Sequence, residues 1–274
     1  QSNNSSNYDF LAYKTLELSE TLYNSLFSKL YLTAIIGKYL NFMLELHEIP
    51  YSIMNDRIIY DNSQDVRNLA VISTLINLNQ GYFINWYNNY INRNNNISRQ
   101  AMASIYEITK DENIANYLWN ERDDLEDIFE RPQIYIALLK SRYSERIKNE
   151  IIKYMTSLKI SGINDIFKAN WWTQAVIKSN CCNEYREIFV NYFLNIYPEI
   201  INYETNYLAV FFEAVSFLND DKLKIPRFNI FIELLHRYNE KYGLFEFKDR
   251  SMRIDITNHV INGCMILSSF ANSN

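Results

Sequence analysis

The sequence predicts an all-α fold, and three observations carry that expectation. Glycine and proline are scarce, five and four in 274 residues, which leaves too few turn-formers for a many-stranded sheet. Apolar residues recur at helical spacing over long stretches. Those stretches are also of two kinds that alternate along the chain, as inner helices sheathed by outer ones would.

The first kind is apolar nearly all round: "VRNLAVISTLINL" (66–78), "PQIYIALL" (132–139) and "NYLAVFFEAVSFL" (206–218). A helix apolar on every side has to be enclosed by neighbours, whereas a striped one faces water. The striped kind includes "ERIKNEIIKYMTSL" (145–158), with Ile147, Ile151, Met155 and Leu158 on one face. "FNIFIELLHRYNEKY" (228–242) does the same with Phe231, Leu234, Leu235 and Tyr238. Inner helices are expected to start near Val66, Ser98, Arg131, Ala169, Tyr203 and Asp255, at spacings of 32, 33, 38, 34 and 52 residues. That is about one helical hairpin each, the signature of a repeat architecture. The last spacing is lengthened by an insertion around "NDDKLKIPR" (219–227).

First and last units share a pattern, "RIIYDNSQDVRNLAVIS" beside "LFEFKDRSMRIDITNHVIN". Each has a short extended aromatic-apolar piece, a charged turn, then an Asp (Asp65, Asp255) placed to cap the free N–H groups of an apolar helix. Gly243 is expected to end the last outer helix in a left-handed conformation. The expected organisation is a flexible polar tail over residues 1–8 and a single all-α domain over 9–274.

"YGLFEF" (242–247) followed by "IDITNHVINGCMIL" (254–267) resembles the end-of-repeat pattern of the α/α toroids. There, a Gly-aromatic loop precedes an Asp-x-x-Thr-type inner helix. The terpenoid-cyclase and protein-prenyltransferase superfamily is the best-known example, and similar toroids occur in many glycoside hydrolases and polysaccharide lyases. The resemblance implies five to six helical hairpins closed into a barrel, with a ligand site at the N-terminal ends of the inner helices. An open α-solenoid, which shares the period, is the alternative.

Composition narrows the partners. The chain is aromatic-rich and acidic, with net charge −5 and no Lys/Arg cluster, which argues against a duplex nucleic-acid partner. Its longest apolar run, Tyr207 to Phe212, is stopped by Glu213, so no transmembrane segment is expected. Cys181, Cys182 and Cys264 form neither a metal spacing nor a CxxC pair, and leave the redox compartment open. The polar lead "SNNSSN" would suit the tether after a lipidated cysteine in an exported lipoprotein whose signal has been removed. The other reading is an ordinary disordered terminus of a cytoplasmic protein.

Several residues are candidates for chemistry. "DDLED" matches the Asp-Asp-x-x-Asp pattern of class I prenyltransferases and terpene synthases. On a helix, Asp123, Asp124 and Asp127 would share a face and hold Mg²⁺ on an isoprenoid diphosphate. The competing reading is a solvated acidic helix start that complements the helix dipole, and the second magnesium-binding segment of those families is missing. Asp255 and His259, four residues apart, would place an imidazole against a carboxylate for acid–base work. Trp171 and Trp172, in "NWWTQ" (170–174), are expected at the mouth of the ring, where indoles stack on sugar faces or shield an apolar ligand. Asp65, Arg67 and Glu204 occupy matching inner-helix starts, as do Arg99 and Gln133. The chain has no Ser-His-Asp motif, phosphate loop or HExxH.

The leading expectation is therefore a toroid that binds or processes a small apolar, isoprenoid or glycan ligand. A non-catalytic interaction module is one alternative. A magnesium-dependent prenyl-diphosphate enzyme is the other, and the only one requiring a metal; no further cofactor is expected.

Overall fold

A computed structural model of the protein describes residues 99–181, 183–239 and 244–271, together with two strand segments at 52–54 and 57–59. The chain is mostly helical with little sheet, as the scarcity of turn-formers requires. The predicted tail, the helix over 66–78, Asp65, Arg67, Cys182 and Gly243 all lie outside the described residues.

The helices are α1 (Arg99–Thr109), α2 (Glu112–Asn120), α3 (Glu130–Leu138), α4 (Ser144–Met155) and α5 (Ile166–Ser179). They continue with α6 (Asn183–Ile200), α7 (Thr205–Leu218), α8 (Lys224–His236) and α9 (Ile254–Ala271). Short strands complete the chain: β1 (Ser52–Met54), β2 (Arg57–Ile59), β3 (Tyr238–Asn239), β4 (Leu244–Phe245) and β5 (Ser251–Arg253). Contacts gather these into two compact units, one within Asp61–Tyr192, the other joining Phe193–Asn274 to the segment of β1 and β2. The boundary falls inside α6.

The alternation of helix types is real. In α3, Pro132 and every residue from Ile134 to Leu138 are buried, and in α7 the burial is unbroken from Leu208 to Ser216. In α4 only Ile147, Ile151 and Met155 are buried, one residue per turn. Enclosed helices start at Glu130, Ile166, Thr205 and Ile254, close to the predicted Arg131, Ala169, Tyr203 and Asp255. Several helices are closed by non-glycine residues in the left-handed region: Lys110 (φ 56°) follows α1, Asn180 (φ 51°) follows α5 and Asn219 (φ 43°) follows α7. Asparagine tolerates that conformation better than most residues, which explains two of these stops.

Three local expectations are corrected. The outer helix placed over 228–242 starts earlier, at Lys224, and ends at His236. Tyr238 and Asn239 leave it to pair with Phe245 and Leu244 in a small antiparallel hairpin. Leu158 falls beyond α4, which closes at Met155. Asp255 is the second residue of α9 and not its cap. Here β5 pairs with β1 up to Arg253 (Ser52↔Arg253, Met54↔Ser251), so the helix begins directly where the ladder ends. With β2 paired to the other side of β1, the sheet order is β2-β1-β5.

The core of the Asp61–Tyr192 unit is aromatic. Trp172 is fully buried, stacks on Tyr154 at 3.9 Å between centroids and meets Tyr135 edge-on at 6.1 Å. In the other unit, α7 and α9 make the dominant helix contact. Gly263 permits it: a Cβ there would stand 2.6 Å from Phe212 Cε1, and Phe212 is itself buried and stacked on Phe231. Gly263→Ala is therefore expected to lower stability by about 1–3 kcal/mol through overpacking, although alanine favours the helix by about 1 kcal/mol. A urea midpoint equal to wild type would show that the two helices can separate freely.

Candidate functional site

The polar group that the fold builds most deliberately lies between α7 and α9. Glu213 is the one carboxylate of the enclosed, largely apolar helix α7, and its side chain is 1% exposed. Its Oε2 stands 2.7 Å from His259 Nδ1, and its Oε1 accepts from Asn262 Nδ2 at 2.9 Å. His259 and Asn262 are three residues apart, so both project from one face of α9. The close approach at Gly263 brings that face within reach of α7. A buried carboxylate without partners costs several kcal/mol, and these two donors offset part of that cost at Glu213. With the carboxylate ionised, Nδ1–H donates to it, which sets the tautomer and leaves proton transfer to the other ring nitrogen.

The sequence singled out His259 but assigned it Asp255. Asp255 lies in the first turn of α9, and its side chain is outside the described residues. Glu213 was missed as a partner, though a signal existed. A charged residue in the middle of a largely apolar, enclosed helix must be paired, and only tertiary contact can supply the pair.

The structure distributes the other candidates. Trp172 is not at a helix mouth: α5 begins at Ile166, and the Trp172 indole Nε1 donates to Asp127 O at 3.0 Å inside the core. Trp171, its neighbour, is half-buried. Glu204 stands at the N-cap of α7 but its side chain makes no capping bond; Lys248 N donates to its Oε2 at 3.3 Å. Arg99, at the start of α1, is bound in a two-pronged pair to Glu130 at 2.8 and 3.0 Å.

The "DDLED" segment is not an α-helix, so its carboxylates do not share a helical face. Arg122–Asp124 forms a 3-10 turn and Leu125 is extended (φ −78°, ψ 139°). Asp123, Asp124 and Asp127 are all exposed, and Asp127 takes Arg131 Nε at 2.6 Å. Burial, with Asp127 alongside, pushes the Tyr154 hydroxyl up to about 12. The tertiary anchoring of Asp127 thus draws the segment into a turn. Among the described residues, no group of three or more His, Cys, Asp or Glu is placed to hold a metal ion. None of the described helices is long and apolar enough to cross a membrane.

Cys181 and Cys264 are free thiols. Burial pushes the Cys264 thiol up to about 12. The reactive thiolate is therefore strongly disfavoured at neutral pH. Cys264 is expected to resist iodoacetamide in the native protein and to react only on unfolding, whereas half-buried Cys181 reacts first. Peptide mapping after alkylation checks this, and early labelling at Cys264 would refute the close packing of α9.

Comparison with known proteins gives no matching family model, no matching curated protein and no matching solved structure.

Proposed function

We propose that the protein is a ligand-binding α/α toroid whose site centres on the Glu213–His259 pair and takes a small apolar or glycan ligand. The observation that carries this reading is the pair itself. A carboxylate buried in an apolar helix is an expensive way to hold two helices together, and it orients an imidazole as general acid–base chemistry requires. The toroid form is supported by the regular starts of the enclosed helices, and by the pairing of β1 with β5, which joins an early segment of the chain to a late one.

The test uses His259→Asn, whose amide keeps a donor where Nδ1 stands and removes the second ring nitrogen. Thermal-shift titrations with cellohexaose, chitohexaose and farnesol are expected to stabilise the wild type for at least one ligand, and to leave the variant unshifted. A ligand that shifts both proteins equally, or no shift with any of the three, counts against the reading.

One observation favours an interaction module instead. Ile128 and Phe129 are consecutive and exposed at 41% and 39%, and contiguous exposed apolar surface is where partners dock. The prenyl-diphosphate reading has lost its geometric support with the helical form of "DDLED".

A further inference from the structure

A second polar–aromatic assembly stands in the Asp61–Tyr192 unit. Trp119, in the last turn of α2, and Tyr143, just before α4, lie nearly parallel, with centroids 4.7 Å apart and planes 3° off. The Arg122 guanidinium sits 3.9 Å from the Trp119 centroid. Arg146 stands 5.7 Å from the same indole, and Arg142 5.1 Å from the Tyr143 ring. Three cations therefore converge on two stacked rings in a chain of net charge −5.

Local acids neutralise them only in part. Glu112 lies 3.7 Å from Arg142 and Asp123 3.8 Å from Arg122, and both carboxylates are largely in solvent. Glu145, next to Arg146 in the chain, is engaged by Lys148 at 2.6 Å. Among the described residues Arg146 makes no ion pair, and the buried Arg122 Nε has no hydrogen-bond partner. The remaining contacts hold the guanidinium groups in place: Arg122 Nη1 donates to Trp119 O at 2.8 Å, and Arg142 Nη2 donates to Asn116 and to the Tyr143 hydroxyl.

We propose that this surface binds an oxyanion-bearing ligand, one that carries at least two phosphate or sulfate groups. Guanidinium forks match the geometry of such groups and bind them through charge-assisted hydrogen bonds. Stacking on the rings fixes the forks in advance, which reduces the entropy lost on binding. Mutual repulsion among the three cations is relieved when an anion arrives. This site is independent of the Glu213–His259 reading, whose failure would not affect it.

Isothermal titration calorimetry at low ionic strength with sodium tripolyphosphate and with a sulfated heparin tetrasaccharide tests the proposal. Saturable binding of at least one is expected, and the preferred probe assigns the ligand to phosphate or sulfate. Arg146→Gln, at an exposed position, should keep the wild-type melting temperature and weaken binding about tenfold, the loss of one charge-assisted hydrogen bond. Lys153→Gln, exposed about two turns further along the same helix, should bind as wild type. The proposal is overturned if neither probe saturates, if Arg146→Gln binds as tightly as wild type, or if Lys153→Gln weakens binding equally.

Discussion

Replacing His259 by alanine is expected to destabilise the protein by about 3–5 kcal/mol, because it strips a buried carboxylate of the imidazole paired with it. Glu213 is 1% exposed and cannot recruit bulk water in place of the imidazole. His259→Asn preserves a donor to Oε2 and should cost about 1–2 kcal/mol, mostly lost ring packing. The difference between the two variants, read from urea midpoints, isolates the Glu213 contact from the bulk of the ring. Equal loss in both would mean that packing dominates and the carboxylate is satisfied elsewhere. Ligand binding should separate the same two variants from wild type together, since both lack the second ring nitrogen.

The other large effect is expected at Trp172. Trp172→Ala removes a fully buried indole, its stack on Tyr154 and its hydrogen bond to Asp127 O. A cavity of that size costs about 3–5 kcal/mol in a core that collapses only partly. Trp171→Ala, at the half-buried neighbour, should cost about 1 kcal/mol. Denaturant unfolding followed by far-UV circular dichroism separates the pair. If Trp172→Ala falls within about 1 kcal/mol of wild type, the aromatic core described for this unit is wrong.

Much of the helical framework was legible because helix periodicity is local. Ile147, Ile151 and Met155 declare a stripe within twelve residues of sequence, and the structure buries those three. The run from Leu208 to Ser216 declares enclosure in the same way. "DDLED" misled for the converse reason. Its acidic composition suits a helix start, but the Trp172 indole on Asp127 O and Arg131 on the Asp127 carboxylate hold it in a turn.

The sequence by itself determined the mostly helical class, the two kinds of helix and the approximate starts of the enclosed ones, since each depends on residues within a few turns of one another. Tertiary structure alone decided which carboxylate meets His259. Spacing on one helix offered Asp255, but Glu213 comes from 46 residues away, and the approach depends on the missing side chain at Gly263. It also decided that β1 pairs with β5, with Ser52 opposite Arg253. Such contacts depend on how helices pack against each other, and no local pattern of residues records the distance between two helix axes.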